Sequence, residues 1–167
     1  MALTRAKKEE TVDKLKEIMN KARSVTFVNF KGLNVEKANQ ARKHLKDQNV
    51  GYLVAKKTLI KRALDEVGIS GEMPALEGEI ALAYSEEDLT ASAREVYGFQ
   101  KKESGVLTIA GGIFEGSYRD AEKMTEIASI PSRPVLYGQF VNLINSPLQG
   151  LVIALGRIAE ERERTSA

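Results

Sequence analysis

Lys31-Gly32, Arg42 with Lys46, and Lys56-Lys57-Thr58 with Lys61 combine cations with backbone breaks at spacings that suit one chemistry, the holding of phosphate. Arg42 and Lys46 are four apart and share a helix face. Lys61 lies one turn beyond Lys57. Lys31-Gly32 and Lys56-Lys57 fall at the ends of predicted strands, Lys61 lies near the start of the helix that follows the second, and Arg42 and Lys46 lie along the helix that follows the first. Backbone N–H groups at helix starts add to anion binding, and Arg5, Lys7 and Lys8 extend the same set. Few aromatic residues interleave with these bases, which argues for shape and phosphate recognition of folded RNA over base stacking.

Catalytic chemistry is poorly supplied. The chain has no Cys, so it has no disulfide framework, thiolate metal site or cysteine nucleophile. His44 is the single histidine, which disfavours histidine-based zinc sites and Ser-His catalysis; on an exposed helical face it is expected to be solvated. Gly111-Gly112-Ile113-Phe114-Glu115-Gly116 lacks the Lys-Ser/Thr of a P-loop and the spacing of a dinucleotide fingerprint. Its glycines read as a turn or bulge at the end of a strand. Glu86-Glu87-Asp88 complements a helix dipole. The sequence reads as a non-enzyme, with no metal and no cofactor.

The charge is divided along the chain. Residues 1–64 hold 16 Lys+Arg against 6 Asp+Glu, a balance of +10, and residues 65–167 hold 9 against 17, a balance of −8; these sum to the net +2 of all 167 residues. A cationic half of this kind is an electrostatic footprint for a polyanion. Nothing at the amino terminus resembles a secretory signal, so the cytoplasm is the expected compartment.

The elements that position these bases follow from periodicity. A helix is predicted over 5–23, with Val12, Leu15 and Ala22 on one face. Ser24–Phe30 reads as a strand covered on both sides. Asn34 opens a helix with Val35, Ala38, Ala41 and Leu45 turned inward. A strand over Val50–Ala55, a helix over Thr58–Val67 and a loop over Gly68–Gly78 follow. Next come a strand at Ile80–Tyr84, a helix at Glu86–Lys102, a strand at Ser104–Phe114 and a short helix at Arg119–Ala128. The alternation predicts an α/β fold, a small mixed sheet with helices on its faces, followed by a long amphipathic C-terminal helix. The predicted organisation is a phosphate-binding domain over 1–130, a Pro-containing linker over 131–134, and a helical segment over 135–167.

Pro134 to Gly156 contains no charged residue. A membrane span needs about 20 predominantly apolar residues, but this segment carries Gln139, Asn142, Asn145, Gln149, three glycines and Pro147. Amides in hydrocarbon are costly, so no membrane insertion is expected. Tyr137, Phe140, Ile144, Leu148, Leu151, Leu155 and Ile158 advance by three and four residues, a helical stripe flanked by Leu136, Leu143 and Val152. A helix weakened by Gly138, Gly150, Gly156 and Pro147 yet rich in Leu and Ile reads as a docking surface ordered by a partner. Pro147 predicts a kink or break near Asn145–Ser146.

Several segments resemble, in order over nearly the whole chain, the family of bacterial ribosomal stalk-base proteins, large-subunit protein ten, and the related archaeal and eukaryotic P-zero proteins. They are Gly32-Leu33-Asn34-Val35, Ala41-Arg42-Lys43, Val54-Ala55-Lys56-Lys57-Thr58-Leu59, Gly78 to Ser85, Gly111-Gly112, Ile130-Pro131-Ser132-Arg133 and Ser146-Pro147-Leu148-Gln149-Gly150-Leu151-Val152. The resemblance implies an RNA-binding α/β domain on large-subunit ribosomal RNA at the base of the stalk, beside a neighbouring stalk-base protein. It also implies a C-terminal helix carrying dimers of the small acidic stalk protein, which recruit translational GTPases. This chain departs from the pattern at Lys57, where Asn is usual, at Glu79-Ile80, where Pro-Thr is usual, and at Pro134, where an acidic residue is expected. The alternative function is regulatory RNA binding, by a ribosome-assembly paralogue or a repressor of its own message.

Overall fold

The computed structural model describes residues 5–30, 32–71, 73–74, 76, 78–102 and 107–166. The chain divides into two compact units, one ending at Ile130 and the other starting at Pro131. In the first, the helices are α1 (Arg5–Lys21), α2 (Val35–Asp47), α3 (Lys57–Val67), α4 (Ala91–Lys102) and α5 (Ala121–Ala128). The strands are β1 (Ser24–Asn29), β2 (Gly51–Val54), β3 (Ile80–Ser85), β4 (Thr108–Phe114) and β5 (Ser117–Asp120). The second unit contains one helix, α6 (Arg133–Ser166).

The α/β layering and the long C-terminal helix agree with the expectation from sequence. The strands lie in the order β2-β3-β1-β4-β5. Strand directions refine the expected mixed sheet, because all four ladders are antiparallel. The parallel pairing described is the isolated bridge Ser70–Ser117. β1 and β2 each run opposite to β3, so they are parallel to one another and end at the same end of the sheet.

Helices cover both faces because the central strands bury side chains on both. On one face Val25, Phe27, Leu82 and Ile113 meet Leu15 and Met19 of α1 and Ile60, Ala63 and Leu64 of α3. On the other, Val28, Ala83 and Ile109 meet Ala41 and Leu45 of α2, Val96 and Phe99 of α4, and Met124 of α5. The polar side chains of β1 are satisfied within the second layer. Ser92 of α4 shares hydrogen bonds with Ser24 (2.9 Å) and Thr26 (3.0 Å), and all three are buried.

Four expectations require correction. Gly111 and Gly112 lie inside β4, Gly116 follows it in the turn to β5, and Ser104 lies outside the described residues. Within β4, Ala110 is the extra residue of a bulge, since Phe27 pairs with Gly111 while Val28 pairs with Ile109. Gly111 has φ 138°, and a Cβ there would come within 2.8 Å of Pro74 and 2.9 Å of the Arg119 carbonyl. The helix predicted from Arg119 overlaps the last two residues of β5, Arg119 and Asp120. The strand's polar residues occupy a sheet edge, where alternation is weak, and α5 begins only at Ala121.

The helix predicted from Glu86 starts at Ala91. Asp88 diverts the chain into a turn, its backbone N–H reaching Ser85 Oγ at 3.3 Å while its carboxylate accepts from the Thr90 N–H and from Arg94, both at 3.3 Å. Finally, α6 includes Arg133 and Pro134 and runs through Pro147 without the break predicted at Asn145–Ser146. Pro134 is tolerated because first-turn N–H groups have no intrahelical partner. Pro147 removes one hydrogen bond from a 34-residue helix, and the turns on either side keep theirs. No described helix is long and apolar enough to cross a membrane.

Two outcomes follow from this packing. A Cβ at Gly112 would lie 2.5 Å from the Val25 carbonyl and 2.6 Å from Met124 Cε. Gly112→Ala should therefore cost about 1–3 kcal/mol in chemical denaturation. At Asp88, burial opposes ionisation, but the Thr90 amide and the Arg94 guanidinium outweigh it and hold the carboxyl below its ordinary value of 3.8. A lowered folded-state pKa stabilises above the unfolded value and is lost as pH falls through the folded one. Asp88→Asn should thus destabilise the protein at neutral pH, and denaturation curves of the two proteins should converge as the pH drops below 3.8.

Candidate nucleic-acid interface

The shared end of β1 and β2 gathers part of the predicted site. β1 leads through Phe30 into the turn at Gly32, whose φ of 83° suits glycine, and the intervening Lys31 lies outside the described residues. β2 leads through Ala55 to Lys56, the residue before α3, with Lys57 and Thr58 in that helix's first turn. No acidic residue occupies that turn and no side chain caps it. Lys56 and Lys57 line a shallow cleft of about 390 Å³ with Phe30, Val54, Gly78 and Glu79. Lys61 follows one turn later, exposed.

α1 brings its first turns to the same end. The reversal at Ala22-Arg23 sends β1 back along the helix, so the start of α1 and the end of β1 lie together. Lys7 and Lys8 are exposed there, and Arg5 opens the helix. α2 does the opposite. It leaves that end and carries Lys46 eleven residues beyond Val35, about 16 Å away at 1.5 Å per residue. Arg42, midway, sits 5.9 Å over the Tyr52 ring and donates to Asn39 Oδ1 at 3.3 Å. The bases of α2 therefore form a side wall, separate from the cluster at the strand ends.

Ion pairing sorts the remaining bases. Lys14 meets Glu10 and Lys21 meets Glu17, each at 2.6 Å, and Lys16 reaches Glu66, which also receives Arg62 at 3.1 Å. These contacts hold the Glu10, Glu17 and Glu66 carboxyls below their ordinary range and raise the ammonium groups of Lys16 and Lys21. Lys7, Lys8, Lys46, Lys56, Lys57 and Lys61 form no salt bridge among the described residues. Within residues 7–64, the cations left without a salt bridge among the described residues are thus those of the strand-end cluster, Arg42, Lys43 and Lys46 along α2, and Arg23 before β1.

His44 is not simply solvated. Its Nε2 lies 3.5 Å from Glu95 on α4, and its ring centroid is 6.2 Å from that of Phe99. Arg94 bridges Glu95 (3.2 Å) and Asp88 (3.3 Å), so this group ties α2 to α4. No cluster of three or more His, Cys, Asp or Glu capable of holding a metal occurs among the described residues. The sequence marks Glu79 only as a departure from the family pattern and does not mark Phe30 as a site residue. The available signal was an aromatic side chain directly before Lys31 and a carboxylate inside a segment otherwise matched to a known pattern.

The first unit is thus an α/β domain with a cationic strand-end surface, and the second is a long helix with exposed apolar side chains, a combination with no catalytic constellation among the described residues. The sequence profile of the family described as Ribosomal protein L10 matches residues 3–101. The chain is 36% identical over 156 residues to the large ribosomal subunit protein uL10 of Clostridium acetobutylicum, covering 93% of this chain and 92% of that protein. It is 33% identical over 159 residues to the same-named protein of Bacillus licheniformis, covering 95% and 93%. The chain belongs to the ribosomal protein L10 family, structural non-enzymatic proteins of the large ribosomal subunit.

A structured RNA used as polyanion probe should distinguish free from paired bases. With about five phosphate contacts, log affinity should fall against log salt with a slope of about −3.5 to −4.5. Lys56→Ala and Lys57→Ala should each reduce the slope by about one. Lys14→Ala and Lys21→Ala should leave it unchanged.

Proposed function

We propose that the first unit binds large-subunit ribosomal RNA and that α6 carries dimers of the acidic ribosomal stalk protein, placing translational GTPases within reach of the ribosome. A neighbouring stalk-base protein shares the RNA site in this reading. The observation that carries it is the state of α6. Tyr137, Phe140, Ile144, Leu148, Leu151, Leu155 and Ile158 are between 51% and 69% exposed, and Leu136, Leu143 and Val152 beside them are exposed as well. Monomeric proteins seldom leave contiguous apolar surface uncovered, and such surface marks a partner site. A helical stripe of large apolar residues fits an amphipathic groove between helices.

The opposite face of α6 is polar but uncharged over Gln139, Asn142, Ser146 and Gln149. The apolar stripe is therefore bounded on one side, which fixes the face a partner grips. Against regulatory RNA binding alone, a non-docking protein gains nothing from this stripe and incurs an aggregation hazard.

Burial of a leucine side chain contributes about 1.5–3 kcal/mol. Leu151→Asp should weaken docking of the acidic stalk protein by at least tenfold, seen as loss of bound dimer in native mass spectrometry of the full chain. Affinity for ribosomal RNA should not change. Gln149→Asp, on the polar face, should dock normally. Stalk-protein binding untouched by Leu151→Asp would refute the assignment.

A further inference from the structure

The cleft at the strand ends is not built for phosphate alone. Its wall includes Phe30 and Val54 beside Lys56 and Lys57; Val54 is 48% exposed, and Phe30 is partly buried against the second core layer. Apolar surface is of no use to a phosphate, whereas stacking on an aromatic face is worth having for a base. Glu79 also lines this cleft, exposed, and it forms no ion pair with any described residue although two lysines share the site. An unpaired carboxylate repels phosphate. The groups it attracts in RNA are exocyclic amino donors on base edges.

The geometry holds these groups in register. The Phe30 N–H donates to the Glu79 carbonyl at 3.1 Å, continuing the β1–β3 ladder one step past Asn29 and Ile80. Gly78, with φ 74°, makes the turn into β3. A Cβ there would sit 2.6 Å from Asn29 Nδ2, so the position remains without a side chain. At about 390 Å³ the depression falls within the usual range of small-ligand sites, about 300–1,000 Å³.

We infer that this cleft receives one unstacked, amino-bearing base of the bound RNA, stacked on Phe30 and read by the Glu79 carboxylate, while Lys56 and Lys57 hold its flanking phosphates. The inference rests on the RNA-binding reading above and adds base recognition to it. Glu79 is then a specificity determinant at a position where the family pattern has proline.

The test is equilibrium binding of the full chain to protein-stripped large-subunit ribosomal RNA across a salt series. Glu79→Ala removes a negative charge from a cationic surface. Phosphate binding alone would make this variant bind more tightly, whereas base reading makes it bind about tenfold more weakly. Phe30→Leu should also weaken binding about tenfold with the salt slope unchanged, because stacking releases no counterions. Tighter or unaltered binding by Glu79→Ala overturns the base site while leaving RNA binding intact. Failure of the unaltered chain to bind the RNA overturns the RNA reading itself. Glu79 is exposed, so its variant decides the question even if Phe30→Leu does not fold.

Discussion

β1 is the strand on which the rest of the domain depends. Both of its edges are paired, to β3 and β4, and both of its faces are covered. A strand in that position cannot slip by one residue without moving Phe27 out of one layer and Val28 out of the other. Its register therefore fixes that of β3, and β3 fixes β2. Because β3 intervenes between them, β1 and β2 are parallel without being neighbours. Their ends coincide, and every residue that follows them is delivered to one edge. The cationic cluster is a consequence of topology before it is one of composition.

Charge is used in two ways within one face of the molecule. Along α1 and α3 it is spent internally, on pairs at helical spacing and on the Lys16–Glu66–Arg62 contact between helices. Exposed pairs of this kind contribute little stability, typically 0–1 kcal/mol each. Their larger effect is subtractive, since they withdraw bases from the field felt by a ligand. What remains concentrated is the strand-end cluster. The balance of +10 over residues 1–64 thus overstates the free positive charge and says nothing of where it is placed.

The elements with strong period were legible in the sequence. β1, α2, β2, α3 and β3 lie within a few residues of expectation, because burial on both faces leaves an unmistakable pattern in residues such as Val25, Phe27, Ile60 and Leu82. The misreadings share a physical cause. Gly111 and Gly112 read as a turn or bulge, which glycine composition does not distinguish, and the bulge they form lies inside β4, crowded by Pro74 and Met124, and not at its end. β5 offers no apolar alternation, and Asp88 redirects the chain through side-chain hydrogen bonds that periodicity does not encode. The basic residues could be named from sequence, but their sorting into paired and free could not, since Glu66 lies far along the chain from Lys16. Lys46 shows the same gap. Sharing a helix face with Arg42 does not bring it to the strand ends.

α6 poses the opposite problem, a helix whose sequence opposes its own stability. Gly138, Gly150 and Gly156 each sit in open space, where an added Cβ would meet nothing. Each costs about 1 kcal/mol relative to Ala, and Pro147 costs about 3 kcal/mol more. Burial of its large apolar residues does not offset these terms, because those residues are exposed. Under the proposed function the missing stabilisation comes from the docked partner, whose grip on the stripe orders turns that are marginal alone. Gly138 and Gly156 lie eighteen residues apart, five full turns at 3.6 residues each, and so share one side of the helix, that of Gln149 and not of the stripe, which leaves the partner's grip on the stripe as the source of the missing stability.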